Sequence, residues 1–237
     1  KFQIFDDFHI ATLDVTNNWF TSAGSDAGAV AAATVAGAPE GLGLLQSGNA
    51  DGTEDGAVIC KRLLAHGSLV SLGGTVFETR VSLDGIAGCS QWYGLSDVLG
   101  TNAERLPHTV DSGTVADGGL TVTNVVGISF STDATATTKY TITSENAGTI
   151  GNSAAEEALD VGPTADTFAI LRIEVDSNGD AKFYIDGTLK ATRVIAVATT
   201  ALLIPLIGMD SGTDAQADID LSIDYILFEG NRPSSNA

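Results

Sequence analysis

The carboxylates of this chain are the side chains that could perform acid–base chemistry, so their spacing is considered first. Hydrolysis of a glycosidic bond with retention needs two carboxylates about 5–5.5 Å apart. Asp218, Asp220 and Asp224 alternate along one apolar segment, whereas Glu78 and Glu174 each stand alone in another. Acids that alternate along a strand usually form its solvent-facing side. The sequence therefore predicts no catalytic residues, and we expect that the chain is not an enzyme.

Other nucleophiles and bases are equally isolated in the sequence. His9, His66 and His108 lie far apart, and no serine or cysteine stands in the glycine-rich pattern that surrounds a hydrolase nucleophile. Cys60 and Cys89 could form at most one disulfide. Because each lies in an apolar, strand-like run, we expect two buried free thiols that behave as small core residues.

Two acidic segments partly match a calcium-binding loop. Asp176, Asn178 and Asp180 alternate as its first ligands do, but the glycine and glutamate that complete such a loop are missing. The segment 49–55 is incomplete in a similar way. Aspartate and asparagine also satisfy their own backbone in tight turns, which explains 176–180 better. For 49–55 two interpretations stay open, an ordinary surface loop and a structural calcium site, and we expect no metal or other cofactor.

Trp92 and Tyr93 are the candidate residues for contact with a glycan. Sugar sites usually combine an exposed aromatic ring with polar groups, and aromatic residues make up only 6% of this chain. Adjacent residues of a strand face opposite sides, so only one of these rings is expected in the core. Two interpretations stay open: a glycan contact here, or one core ring and one surface ring without a ligand.

The elements that must position these residues are β-strands. The segment "LRIEVDSNGDAKFYIDG" alternates apolar and polar residues on both sides of an Asn-Gly turn, which is typical of a β-hairpin. About ten such strands separated by Gly, Asp and Asn turns predict two packed antiparallel sheets. The clearest strands are 57–65, 75–83, 91–95, 125–130, 139–143, 169–175, 181–185, 203–208 and 219–228. In the last of them, Ile219, Leu221, Ile223 and Tyr225 are expected to face the core.

Length and charge limit the organisation and the partners. We expect one domain over 1–237, with 1–20 as an opening strand or arm and 230–237 as a flexible tail. The net charge of −19 repels phosphate backbones and anionic lipids, so we expect neither a nucleic-acid nor a membrane partner. No apolar stretch approaches the ~20 residues of a membrane helix.

Several phrases, taken in order, resemble the concanavalin-A-like (laminin-G-like) jelly-roll proteins of tailed bacteriophage virions. They are "IFDDF…NNWF", "FETRVSLDGIAGCSQWYGLSD", "VGISFSTDATATTKYTITSENAGT", "DVGPTADTFAILRIEVDSNGDAKFYIDGTLKAT" and "IDLSIDYILFEG". The resemblance implies an all-β fold, a concanavalin-A-like antiparallel β-sandwich (jelly roll).

The same resemblance implies a function. It predicts a non-enzymatic capsid decoration (cement) protein on the outer surface of the phage head. Its partners would be the major capsid protein and sister copies, with a homotrimer favoured. The alternative is a carbohydrate-binding module of a tail fibre or a cell-surface protein. Endoglucanases of similar fold place two glutamates on one face of one strand, as Glu-x-Asp-x-x-Glu, and this chain has no such phrase.

Overall fold

Antiparallel strands in two stacked sheets form the chain in a computed structural model. The structure describes residues 1–8, 19–23, 30–33, 42–46, 56–61, 67–98, 106–117, 120–151, 157–211 and 219–232. The predicted all-β antiparallel sandwich is confirmed. The candidate residues His9 and His66, the segment 49–55 and the end of the predicted tail lie outside the described ranges.

Eight of these strands form the first sheet, called sheet A. It contains β1 (Phe2–Asp6), β3 (Val30–Ala33), β4 (Leu42–Gln46), β7 (Thr75–Leu83), β15 (Ala169–Val175), β16 (Ala181–Ile185), β17 (Thr188–Arg193) and β19 (Asp220–Gly230). Their order is β17-β16-β15-β7-β19-β4-β3, and β1 also pairs with β19.

Nine strands form the second sheet, called sheet B. It contains β2 (Trp19–Ala23), β5 (Gly56–Lys61), β6 (Ser68–Leu69), β8 (Cys89–Ser96), β11 (Val125–Ser131), β12 (Thr141–Asn146), β13 (Thr149–Ile150), β14 (Glu157–Ala158) and β18 (Leu202–Ser211). The main order is β13-β12-β11-β8-β18-β5-β2. A separate hairpin consists of β9 (His108–Asp111) and β10 (Thr114–Asp117).

The main hydrophobic core lies between the two sheets and follows the predicted alternation. In β7, Phe77, Val81 and Leu83 enter the core, while Glu78 and Arg80 face outward as predicted. The same alternation repeats in neighbouring strands, because side chains alternate across a sheet with period two. Core residues from both sheets include Leu171, Ile173, Phe183, Phe228, Tyr93, Leu95, Ile128 and Ile207.

The last strand departs from the predicted alternation at one point. Leu221 and Ile223 are buried as expected, but the pairing register of β19 with β7 shifts between Ile223 and Tyr225. An inserted residue moves all later side chains to the opposite face. The prediction that Tyr225 enters the core is therefore wrong: Ile226 and Phe228 take the core positions, and Tyr225 lies on the outward face.

The turn between β15 and β16 confirms the interpretation of 176–180 as a hairpin turn. Asp176 Oδ1 accepts the backbone N–H groups of Asn178 (2.8 Å) and Asp180 (3.1 Å). Gly179 has φ +82°, and a Cβ there would lie 2.1 Å from the carbonyl oxygen of Val197. Only glycine fits both the left-handed backbone and this close approach.

Two further predictions are tested by the described residues. Cys60 and Cys89 are both buried and do not form a disulfide, as predicted. Within the described ranges, no helix is long and apolar enough to cross a membrane.

Candidate functional site

Trp92 and Tyr93, the predicted glycan contacts, are both buried in β8. Their exposed fractions are 0% and 1%. They do face opposite sides of the strand, as expected, and Tyr93 lies in the main core, where its hydroxyl donates to Gln91 Oε1 (2.7 Å). The expectation of one surface ring is wrong because both sides of sheet B are covered. Neither ring offers a face to a ligand, so we place no sugar on them.

Trp92 lies flat against the outward face of sheet B, where glycines make room for it. A Cβ on Gly127 would lie 2.3 Å from the indole, and the indole N–H donates to Thr143 Oγ1 (2.9 Å). A second hydrophobic cluster covers the ring; its members are Val58, Cys60, Leu106, Leu120, Val122, Val125 and Leu206. The described residues 106–117 and 120–122, called the covering segment, contribute Leu106, Leu120 and Val122 to this cluster.

A polar pair between the covering segment and sheet B is buried as well. His108 Nε2 lies 3.0 Å from Glu145 Oε2, and both side chains are almost fully buried. The outward positions of the neighbouring strand β11 are Val125, Gly127, Ser129 and Ser131, none of which carries a charge. Among the described residues, the carboxylates of this face, Glu145 and Asp210, are both buried, so the face offers no open acidic surface.

The outward face of sheet A is open and contains an ordered row of side chains. Strand register places one residue from each of six neighbouring strands side by side. This cross-strand row consists of Phe5, Leu227, Glu78, Arg172, Tyr184 and Leu189. Its two ends are apolar and exposed, 58% at Phe5 and 50% at Leu189, and its centre is charged.

A pair of carboxylates shares one guanidinium at the centre of the row. Arg172 Nη1 donates to Glu78 Oε2 (3.0 Å), while its Nε (2.9 Å) and Nη2 (2.8 Å) both contact Glu174 Oε1. Each carboxylate also accepts a tyrosine hydroxyl, Glu78 from Tyr225 (2.8 Å) and Glu174 from Tyr184 (3.2 Å). Five polar side chains from four strands thus form one continuous network.

The electrostatics of the network follow from these contacts. Desolvation lowers the pKa of Arg172, but hydrogen bonds to Glu78 and Glu174 outweigh it, so that pKa is raised. Desolvation, followed by the hydrogen bond to Glu78, raises the pKa of Tyr225; desolvation and the charge of Glu174 raise that of Tyr184. Both tyrosines therefore stay protonated donors over the physiological range.

A groove of about 460 Å³ runs beside the row and crosses the strands. Five of its lining residues come from five neighbouring strands in register: Glu229, Val76, Glu174, Lys182 and Thr192. Arg172 also lines the groove, so Glu174 and Arg172 form part of its wall, and Glu78 contacts this wall through Arg172. This volume lies within the range of small-ligand sites, about 300–1,000 Å³.

Sequence reasoning considered Glu78 and Glu174 singly and missed their pairing. The signal was present in two outward-facing phrases: "FETRV" places an acid and then a base at alternate positions, and "LRIEV" places a base and then an acid. In the observed antiparallel register of β7 and β15, these two phrases place Arg172 directly opposite Glu78. Among the residues that the structure describes, no group of three or more His, Cys, Asp or Glu is arranged to hold a metal ion.

Comparisons with known proteins find similarity in structure only. No protein-family model matches the chain, and no curated protein matches it in sequence. A Bacillus licheniformis beta-glucanase matches over 98% of this chain and 99% of its own, with 13% identity and a TM-score of 0.61. A beta-1,3-1,4-glucanase (lichenase) from a mouse hindgut metagenome matches over 98% and 100%, with 12% identity and a TM-score of 0.63.

A third match is the catalytic domain of an endo-1,3-beta-glucanase (laminarinase) from Thermotoga petrophila. It covers 97% of each chain at 14% identity, with a TM-score of 0.60. The chain therefore has the concanavalin-A-like jelly-roll fold of these proteins, as predicted.

These comparisons correct the prediction of function. The structures that align along almost the whole chain are glucanases, and none of these matches points to phage virion proteins. The predictions of a non-enzymatic protein, of a capsid decoration role and of a virion component are therefore wrong. The predicted homotrimer, its capsid-protein partner and its place on the phage head remain untested, as does the absence of nucleic-acid and membrane partners.

Proposed function

We propose that this chain is a carbohydrate-active hydrolase that cleaves glycosidic bonds of a polysaccharide bound along the groove of sheet A. The observation that carries the proposal is the pair Glu78 and Glu174 held on one guanidinium, with Glu174 and that guanidinium lining an open groove. Glycosidases use two carboxylates separated by about 5–9.5 Å across their two mechanisms. The shared guanidinium holds the two carboxylates close together, as such a pair requires.

The contacts suggest a role for Glu174 in particular. Glu174 lines the groove and is held by two nitrogens of Arg172 and by the Tyr184 hydroxyl. Charge-assisted hydrogen bonds stabilise the ionised carboxylate, so Glu174 acts as the nucleophile or the base that activates water. Glu78, held by one nitrogen of Arg172 and by the Tyr225 hydroxyl, is the second carboxylate of the pair.

The surroundings of the pair suit a sugar ligand. Tyr184 and Tyr225 border the carboxylates, and Phe5 packs against the Tyr225 ring with centroids 5.6 Å apart. Aromatic rings beside hydrogen-bonding groups are the usual composition of sugar sites. The fold of known glucanases adds support by analogy, which is a weaker argument than the site itself.

The test is an assay for hydrolysis of mixed-linkage β-1,3-1,4-glucan and of β-1,3-glucan, in which the release of reducing ends is measured. We compare the wild type with Glu78→Gln, Glu174→Gln and the control Asp160→Asn, whose side chain is 75% exposed and pairs with Lys190 away from the groove. Wild type and control should release reducing ends, and each glutamine variant should lose about 10³-fold in kcat. No release by the folded wild type, or undiminished release by both glutamine variants, would overturn the proposal.

A further inference from the structure

The cross-strand row has exposed apolar ends and a charged centre, and this contrast indicates the physical form of the substrate. We infer that the outward face of sheet A docks on the flat surface of an insoluble, uncharged polysaccharide. This inference rests on the proposed function but makes a separate statement, namely that the ligand extends beyond the groove to both ends of the row.

The length of the cross-strand row is the first observation that supports this inference. Phe5, on β1, and Leu189, on β17, are separated by five strand-to-strand steps. At about 4.8 Å a step, the row spans roughly 24 Å. Both end residues expose half or more of their surface; among the described residues, Val194 and Ile195 are the other large apolar side chains with such exposure. A single short ligand in the groove would leave both of them uncovered.

The second argument is that the aromatic end of the row is supported. The Phe5 ring packs against Tyr225 at an interplanar angle of 32°, and the Tyr225 hydroxyl is fixed by Glu78. A ring held in this way loses little conformational entropy on binding. An exposed aromatic residue with such support is suited to stacking on a flat sugar surface.

The third argument is charge. The chain carries a net charge of −19, yet the charges on this face compensate each other locally. Arg80 contacts Asp224 (2.5 Å), and Arg172 contacts Glu78 and Glu174. A face with internally paired charges gives little attraction to a charged polymer, and the whole molecule repels polyanions. An uncharged surface is therefore the occupant that fits.

The test is the partition of the protein onto insoluble β-1,3-glucan particles and onto crystalline cellulose, measured by depletion from the supernatant. We compare the wild type with Phe5→Ala and Leu189→Ala, and with the control Leu72→Ala. Leu72 is 44% exposed but lies on a turn outside the row. Each row variant should bind about five- to tenfold more weakly to at least one solid, because loss of one interface anchor has this order of effect. The control should bind as the wild type does.

Three results would overturn the inference: row variants that partition like the wild type, soluble oligosaccharides that bind as tightly as the solid, or weaker partition that accompanies the loss of a dimer. The last would mean that a second copy covers this face. Thermal unfolding of each variant verifies that it is folded. A wild type that cleaves soluble glucan without binding solids contradicts only this inference. Row-dependent binding without any cleavage contradicts only the hydrolase.

Discussion

The two outward faces of the sandwich have opposite characters although both belong to antiparallel sheets of similar size. On sheet B, the covering segment closes the face with apolar side chains and encloses His108 with Glu145. On sheet A, the face stays open, and Arg172 joins two carboxylates beside a groove. A site for a polar polymer needs accessible hydrogen-bonding groups, and among the described residues these lie on the face of sheet A.

The difference has a simple physical origin in side-chain size and charge. Gly127 and Gly208 leave space in which Trp92 and Leu106 lie directly on sheet B. Apolar side chains that fill such space gain about 25 cal/mol for each Å² removed from water, so this face is stable when closed. The charged residues of sheet A would lose hydration under a similar cover. Stability and the proposed activity are thus assigned to opposite faces.

Trp92→Ala should have the largest effect, and it should act on stability. Removing a large buried ring costs about 3–5 kcal/mol, because the cavity left behind is only partly filled. Chemical denaturation measures the loss. The folded variant should keep its kcat on glucan, since Trp92 lies on the closed face. A stable Trp92→Ala variant without activity would instead place the reaction on sheet B.

Arg172→Ala should act in the opposite way, on activity more than on stability. Without the shared cation, Glu78 and Glu174 lose their common hydrogen-bond donor, and kcat should fall about 10²-fold. Arg80→Ala is the matched control, because Arg80 lies on the same face but pairs with Asp224. Arg172→Lys should recover little activity, since an ammonium lacks the planar fork that contacts both carboxylates. Equal kcat values for Arg172→Ala and Arg80→Ala would refute the assigned site.

Alkaline pH should lower the free energy of unfolding by a smaller amount, through the buried thiol of Cys89. Burial raises the pKa of the Cys89 thiol from 9.0 to about 12. Above pH 9 the unfolded chain releases this proton while the folded chain keeps it, so the stabilisation is complete below pH 9 and is lost as pH rises toward 12. The slope from this thiol is about 1.4 kcal/mol per pH unit. Unfolding at pH 8–11 measures it, and a slope in Cys89→Ala as steep as in the wild type would contradict this origin.

Tyr184→Phe should have the smallest effect. It removes one hydrogen bond to Glu174, 3.2 Å long and partly exposed to water, while keeping the ring. Such a bond contributes about 0.5–1.5 kcal/mol, so kcat/KM should fall about two- to tenfold with unchanged stability. Steady-state kinetics on soluble glucan provide the measurement. A loss as large as that of Glu174→Gln would show that Tyr184 itself takes part in the reaction.

The sequence predicted those features of the fold that depend on local alternation. The strands β7, β15 and β16 begin and end where predicted, and Glu78 faces outward as expected. Tyr225 was misplaced because a bulge depends on pairing with β7, which the strand's own pattern does not reveal. The burial of Trp92 depends on the covering segment, a hairpin that sequence alternation did not identify.

The candidate site was predictable only in its parts. Glu78 and Arg172 are 94 positions apart in the chain and meet because β7 and β15 pair in one register. Sequence reasoning looked for two carboxylates on one strand and therefore rejected the chemistry. To predict a pair of residues on different strands, one must know which strands are neighbours. The local sequence of each strand shows only that its charges alternate.

Binding of a glucan oligosaccharide on the open face of sheet A is measured most directly by NMR chemical-shift mapping. A soluble β-glucan oligosaccharide is titrated into the inactive Glu174→Gln variant. We expect saturable shifts at Glu78, Arg172, Tyr184 and the groove residues, with residues 106–117 unchanged. Shifts confined to the covering segment and to Trp92 would contradict this expectation.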